Sequence, residues 1–471
     1  MHKRLKILIN NIKEVFSLEF LDKLSKKTKF IRRRSKITAE TFLAFNTFLS
    51  EDMCSKSLSA LCARFASQYN LEISPQALNE RYNEYSTQFM QEVFNNMLIE
   101  QNKILSEQHR KLNFNRILVN DSTSYGLPPK FYKEFKGSGG SSSKAAIKIQ
   151  LQYDLLSGNF LCCDIYSGTA SDGKYVEVMD KYTQAGDLRL ADLGYYKIDY
   201  LKQIDFKEAF FISKLKSTTV VYKKNPNPQR NSKGQILKST EYIKIDIFEL
   251  IKPLADGQTI ELKDTYIGSK KELKSRLIIT KLSEENKEKR KNKLIKAVKR
   301  DRGNINDRSL AWNGVNVYIT NVPENILATE EIHDVYSLRW QVEIMFKIWK
   351  SIFNIDNVKP VKIERFKCFL YGRLIALILS STIVFSARDI IYEEDSTEIS
   401  EIKSFYQVTE FFNTLRIEIF KGELAILKLI KTIINVIRKV GKKSRKKGRK
   451  TMTEILDYLK ISVDDLGNML I

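Results

Sequence analysis

The sequence predicts an α/β protein, with helical regions at both ends of a strand-bearing middle. Three observations carry that expectation. Apolar residues recur at helical intervals over the first 110 or so residues and again beyond about 390. From Asn115 the texture changes to short apolar runs bounded by turn residues, the mark of strands. Near residue 340 the helical period returns in a stretch that is apolar on one side and charged on the other.

The composition bounds the answer. With 471 residues, 43% of them hydrophobic, the chain can bury a sizeable core and form several domains. The 79 basic residues against 56 acidic give a net charge of +23, an excess that calls for a polyanionic partner, nucleic acid ahead of membrane. Five cysteines (Cys54, Cys62, Cys162, Cys163 and Cys368) fit neither a zinc site nor a disulfide framework and read as reduced thiols of a cytosolic protein. The basic amphipathic start, MHKRLKILINNIKEVF, lacks a cleavage-type end. The most apolar stretch, Cys368 to Ala387, is interrupted by Arg373 and reads as a buried core helix, so no membrane partner is expected.

In chain order, residues 1–110 form a helical region that we expect to bind DNA. Ile7, Ile9, Ile12, Val15 and Phe16, then Phe42, Phe45 and Phe48, repeat at helical spacing. Ser57 to Tyr85 holds two helices separated by Ser74-Pro75, an N-cap followed by proline at the first helical position. The pair fits a helix-turn-helix whose second helix presents Gln76, Asn79, Glu80 and Arg81, or an ordinary helical hairpin. Lys23, Lys26, Lys27, Lys29, Arg32, Arg33, Arg34 and Lys36 make a basic block ahead of it, suited to phosphate contacts.

Residues 111–213 read as strand, strand, strand, helix, strand, the order of the first part of a ribonuclease-H-like core. Arg116 to Asn120 is a short strand ending at Asp121, followed by the turn-rich DSTSYGLPP. Gly137 to Ser143 is a glycine–serine loop without the lysine-serine ending of a nucleotide-binding loop. Ala146 to Asp154 and Phe160 to Tyr166 form a hairpin, a helix covers about 174–185, and Leu188 to Ala191 is a buried strand ending at Asp192. Each aspartate is thus expected at a strand's exit.

Residues 214–330 read as a β-rich insertion between the second aspartate and the later glutamate. Its strands are expected at Thr219 to Tyr222, Tyr242 to Phe248, Thr259 to Ile267 and Arg276 to Lys281, with the charged run Glu284 to Arg302 as a separator. Val315 to Thr320 is a further strand, and residues 331–390 return to the core. Residues 391–471 form a helical region that ends in a basic tail: Arg438, Lys439, Lys442, Lys443, Arg445, Lys446, Lys447, Arg449 and Lys450.

The chemistry concentrates in Tyr336 to Lys350, YSLRWQVEIMFKIWK. On one continuous helix, Tyr336, Arg339, Glu343, Lys347 and Lys350 share a sector of about 80°. Val335, Leu338, Val342, Met345, Phe346 and Trp349 gather opposite, and Trp340 beside the charged face reads as packing. Glu343 joins Asp121 and Asp192 as a third carboxylate, and clustered carboxylates are the donors that hard divalent ions want. Two such ions about 3.5–4 Å apart can activate a water and stabilise a leaving oxygen in phosphodiester cleavage.

The spacing Tyr-x2-Arg-x3-Glu-x6-Lys resembles the signature of bacterial insertion-sequence transposases of the DDE class, the subgroup named for those four letters. The resemblance covers about 40–390, and is strongest at 336–350, at 187–196 (with LRLADLGYY) and at 116–123 (RILVNDST). It implies that Asp121, Asp192 and Glu343 bind catalytic Mg²⁺, with Mn²⁺ able to substitute. Tyr336, Arg339 and Lys350 would then contact DNA phosphates, with Lys347 ranked below them. Trp312, just ahead of a strand, is either the aromatic that holds a flipped base or a core residue. The resemblance further implies cut-and-paste transposition through a hairpin intermediate, and a homodimer that holds double-stranded terminal inverted repeats and target DNA in a synaptic complex. Its setting would be the cytoplasm, at the nucleoid. A ribonuclease-H-like nuclease that never joins strands, a non-catalytic DNA-binding protein and a decayed copy are the rival readings.

Overall fold

The computed structural model describes residues 3–33, 35–49, 54–102, 112–140, 142–300, 305–444, 448 and 450–461 (for 3, 4 and 300 the backbone alone). The strands are β1 (Arg116–Leu127), β2 (Ala145–Asp154), β3 (Phe160–Ser167), β4 (Asp187–Ala191), β5 (Phe210–Lys214), β6 (Val221–Lys224), β7 (Tyr242–Ile245), β8 (Thr259–Ile267), β9 (Leu273–Lys281) and β10 (Val315–Thr320). With the helices around them they make the expected mixed α/β protein. Two compact units divide the chain. One comprises Met1–Glu107, Asp121–Ala170 and Gln341–Arg449; the other comprises Gln108–Asn120, Ser171–Trp340 and Lys450–Ile471.

The first unit is mostly helical. Its longest helix, Ile363–Asp395, contains the apolar stretch read above as a core helix, and 89% of its most apolar window is buried. It crosses the helix Ala39–Phe48 so closely that a Cβ on Gly372 would stand 2.1 Å from the carbonyl oxygen of Asn46. Helices Leu58–Tyr69 and Pro75–Arg81 flank the Ser74-Pro75 junction, where the Ser74 hydroxyl accepts from the Ala77 N–H at 3.2 Å. On the second of these, Gln76 and Glu80 are exposed and Leu78 is buried, while Arg81 turns to the Ser35 hydroxyl at 2.5 Å. Strands β2 and β3 form the expected antiparallel hairpin, with Ile147 opposite Ser167. Cys54, Cys162, Cys163 and Cys368 are buried and, with Cys62, are free thiols. Arg34, Arg445, Lys446, Lys447 and Arg449 of the two basic runs, and Arg302 of the charged run, lie outside the described residues.

In the second unit the strands run β1-β4-β5-β10-β9-β8-β6-β7. β4 is parallel to β1 and β5, whereas β10 is antiparallel to β5 and β9. A bidentate pair fixes the β1–β4 register: Arg116 Nε and Nη2 donate to the buried Asp187 carboxylate at 2.8 and 2.7 Å. The crossover from β4 to β5 is the helix Ile198–Phe206, which buries Tyr200, Leu201 and Ile204. The charged run expected as a mere separator is instead a helix, Glu284–Arg300. Pairs three and four residues apart, Lys289 with Glu285 and Lys291 with Glu288, support it on its exposed side.

Candidate active site

The two aspartates are set up by strand register. Pairing of β1 with β4 runs from Arg116 opposite Asp187 to Asn120 opposite Ala191. The next residue on each strand is an acid, Asp121 and Asp192. Asp192 leaves β4 and opens the short 3₁₀ turn Leu193–Tyr195, as expected of a residue at a strand exit. Asp121 does not. β1 continues to Leu127, so Asp121 lies within a strand. Thr123 and Tyr125 suit a strand, and the first residues that cannot continue it are Pro128 and Pro129. Both acids are half-buried, and Asp121 Oδ1 accepts from the Ser122 N–H at 2.8 Å.

The stretch 336–350 is not one helix. Helix Ile332–Ser337 ends in a 3₁₀ turn, Leu338–Trp340, before helix Gln341–Ser351 begins. A 3₁₀ turn advances about 120° per residue instead of about 100°, so three residues shift the helical phase by about 60°. The expected single file is broken accordingly. Tyr336 and Arg339 are buried, at 3% and 5% exposure, whereas Glu343 and Lys350 are half-exposed and Lys347 is exposed. The apolar side is as expected, with Val335, Leu338, Val342, Met345, Phe346 and Trp349 all buried. Trp340, expected to pack, is 57% exposed beneath the Arg339 guanidinium, 5.2 Å from the ring centre.

The ends of this stretch are tied to the strands that bear the acids. In the second unit the Tyr336 hydroxyl donates to the carbonyl of Ala191 at 3.1 Å, and its ring lies 5.0 Å from that of Tyr318. In the first unit Lys350 Nζ donates to the Ser124 carbonyl at 3.2 Å, three residues beyond Asp121. Glu343 sits in the first turn of its helix, where the N-terminal dipole favours a carboxylate.

A cationic cavity lies in the second unit. Leu193, Lys214, Arg290, Trp312, Asn313 and Asn316 are among the residues lining about 150 Å³. Trp312 is half-buried at the end of helix Asp307–Asn313, with its ring 6.1 Å from that of Phe248; it is a wall of this cavity and not a core residue. Arg290 donates to the Val315 carbonyl at 3.1 Å and to Asn316 Oδ1 at 2.7 Å, and burial holds its pKa below the ordinary arginine value. Lys214 Nζ stands 5.7 Å from the Tyr336 ring centre. Burial lowers the pKa of Lys214, the charges of Arg290 and Arg339 lower it further, and Asp192 opposes them.

Lys214 and Arg290 escaped the sequence reading. Lys214 merely ends an apolar strand, and Arg290 is one base in a basic run; only the tertiary fold turns both toward one cavity. Asp192, Tyr336, Arg339 and Trp312 belong to the second unit, whereas Asp121, Glu343, Lys347 and Lys350 belong to the first. Among the described residues no three His, Cys, Asp or Glu side chains gather into a set that could hold a metal ion. The donor chemistry of the three acids is nevertheless that of a hard divalent cation site.

Residues 112–379 match the family described as Transposase DDE domain. The transposase for insertion sequence element IS1151 of Clostridium perfringens is 51% identical over 463 residues, which is 98% of each chain. The transposase for insertion sequence element IS231F of Bacillus thuringiensis subsp. israelensis is 34% identical, over 98% of this chain and 96% of that one. From matches that span both chains almost end to end, at identities this high, it follows that the chain belongs to the DDE-domain transposases of bacterial insertion sequences, enzymes that cleave DNA and transfer its strands.

Proposed function

We propose that this transposase excises its element at the terminal inverted repeats and joins the freed ends to target DNA, with Asp121, Asp192 and Glu343 as the metal-holding acids. The observation that carries the assignment is the β1–β4 register, which ends one residue short of an aspartate on both strands. A ribonuclease-H-like core is the finer reading of the fold, supported by the β2–β3 hairpin and the parallel run β1-β4-β5.

The group held by the acids is Mg²⁺, or Mn²⁺ in its place, and it supplies positive charge for activating a water and for stabilising a leaving oxygen. The water oxygen bonds to phosphorus at the element's end as the bond to the 3′ oxygen breaks, and that oxygen leaves as a hydroxyl. The freed 3′-hydroxyl attacks a phosphorus of the opposite strand, whose bond to the flanking 3′ oxygen breaks as the hairpin closes; water then attacks the hairpin phosphorus and releases the same 3′-hydroxyl, which bonds to a target phosphorus as the target's own 3′ oxygen leaves as a hydroxyl. Tyr336 steadies the strand end that carries Asp192. Lys350 and Lys347 contact phosphates, each ammonium acting as a point charge; Tyr336 and Arg339, expected to share that role, are buried and lack the open face that a phosphate contact needs. Trp312 stacks a base flipped into its cavity, which relieves the hairpin turn. The N-terminal helices (1–110) bind DNA, the segment 214–330 carries Trp312, and residues 391–471 contribute to a homodimer that holds both ends at the nucleoid.

The test is cleavage of a labelled duplex bearing the terminal repeat, in Mg²⁺ or EDTA, by the native protein and by Glu343→Gln. Metal-dependent nicking and a hairpin product, lost in Glu343→Gln while binding persists, are expected. Equal cleavage by both proteins would overturn the assignment of Glu343.

A further inference from the structure

We propose that the outward face of the helix Glu284–Arg300 is a contact surface for the phosphate backbone of duplex DNA, formed by Lys293, Lys296 and Lys299. The inference rests on the chain acting on DNA and assigns that action a surface apart from the three acids.

The helix is asymmetric in charge along its length. In its first half Lys287 pairs with Glu284 at 3.1 Å and also with Asp256, Lys289 pairs with Glu285, and Lys291 pairs with Glu288 at 3.2 Å. The acids stop at Glu288. From residue 289 to 299 there are six bases and no acid, so the later ones have no counter-charge on their own helix. Lys293, Lys296 and Lys299 are exposed, and no described residue forms an ion pair with any of them.

Geometry suits the partner. The three lysines rise in steps of about 4.5 Å and span about 120° of the helix surface. Duplex DNA carries a phosphate on each strand about every 3.4 Å of axis, so each ammonium can meet its own phosphate. Leu294, Ile295 and Val298 are half-buried on the inner side, and Arg290 turns inward to line the cavity with Lys214 and Trp312. The helix thus carries Arg290 into the cavity on one side and lysines to solvent on the other. Lysines near a helix C-terminus also favour the helix dipole, but that role would show as lost stability alone.

The test uses the full chain in EDTA, to prevent cleavage, and fluorescence anisotropy of two labelled duplexes, one with the terminal repeat and one unrelated. Affinity is followed against salt for native protein, Lys293→Gln/Lys296→Gln/Lys299→Gln, and the acid-paired control Lys289→Gln/Lys291→Gln. The first variant should flatten the slope of log affinity against log salt by about 2–3, while the control leaves it near native. Loss on both duplexes means the face holds any DNA, target included; loss on the repeat alone places it on the element's end. A native slope on both duplexes, with the thermal midpoint unchanged, would overturn the proposal, as would an equal loss in the control. Were the triple variant to misfold, the single changes should each remove about 0.9 from the slope. None of these outcomes bears on the Glu343 assay, so the two readings fail separately.

Discussion

The Tyr336 hydroxyl donates a 3.1 Å hydrogen bond to the carbonyl of Ala191, the residue before Asp192. Since Ala191 is where β4 stops pairing with β1, that carbonyl stands at the end of a ladder, and the phenol satisfies it. At the other end of the same stretch, Lys350 bonds the carbonyl of Ser124, three residues past Asp121. The signature therefore has a structural task in the free protein: its first and last members each hold the strand that bears one aspartate.

Tyr336→Phe separates that task from packing. The ring keeps its place beside Tyr318, while the Ala191 carbonyl loses its buried donor. Stability should fall by about 1 kcal/mol in denaturant unfolding. Cleavage should fall by more than unfolding explains, because the end of β4 is no longer tied. Native cleavage rates in Tyr336→Phe would show that the hydroxyl is dispensable.

Lys350 carries two proposed duties, and they respond differently to salt. If its ammonium binds a phosphate, Lys350→Gln should flatten the salt dependence of DNA affinity by about 0.9. A strap to Ser124 alone would leave that slope intact and lower only the thermal midpoint. The expected result is both changes together; an unaltered slope removes Lys350 from the DNA interface.

The elements that carry the proposed site residues were legible in the sequence because they rest on short-range pattern, whereas the roles of those residues came only with the resemblance. The strand ending at Ala191, the hairpin, the apolar side of the 335–349 stretch and the long buried helix all follow from local periodicity. The break at Leu338–Trp340 was not legible, since no proline or glycine marks it and the apolar spacing fits an unbroken helix equally well. β1 was cut short at Asp121 because Ser122, Ser124 and Gly126 after it read as a turn, whereas the strand runs on to Leu127 with β2 as its other neighbour in the sheet. Lys214 was missed for the same reason: its setting is made by Arg290, Tyr336 and Arg339, which lie 76 or more residues away.

Lys214 should trade stability against function. Its pKa is lowered in the fold, so between the folded and unfolded values the unfolded chain holds more protons and stability rises with pH. The penalty for keeping the ammonium charged is fully present at neutral pH and is relieved as pH climbs toward the ordinary lysine value. Lys214→Met should therefore raise the thermal midpoint at pH 7, and by less in alkaline buffer, while weakening cleavage. A lowered midpoint at pH 7 would contradict this account of the site's electrostatics.

Trp312 offers the sharpest distinction between packing and catalysis. Its indole meets Phe248 on one side and the cavity on the other, so truncation removes one aromatic neighbour from a surface helix and a whole wall from the cavity. Trp312→Ala should cost little in the thermal midpoint yet slow hairpin formation, with first-strand nicking near native, because only the hairpin turn needs an unstacked base. Stacking is worth about 1–3 kcal/mol per base, so the hairpin step should slow by about 5- to 150-fold. Trp312→Phe keeps a smaller ring and should recover part of that loss. A 2-aminopurine placed at the repeat's terminal positions reports the flip directly, by fluorescence quenched against the indole in native protein and bright in Trp312→Ala. Identical fluorescence in the two proteins, with hairpins formed at equal rates, would make Trp312 a packing residue of helix Asp307–Asn313.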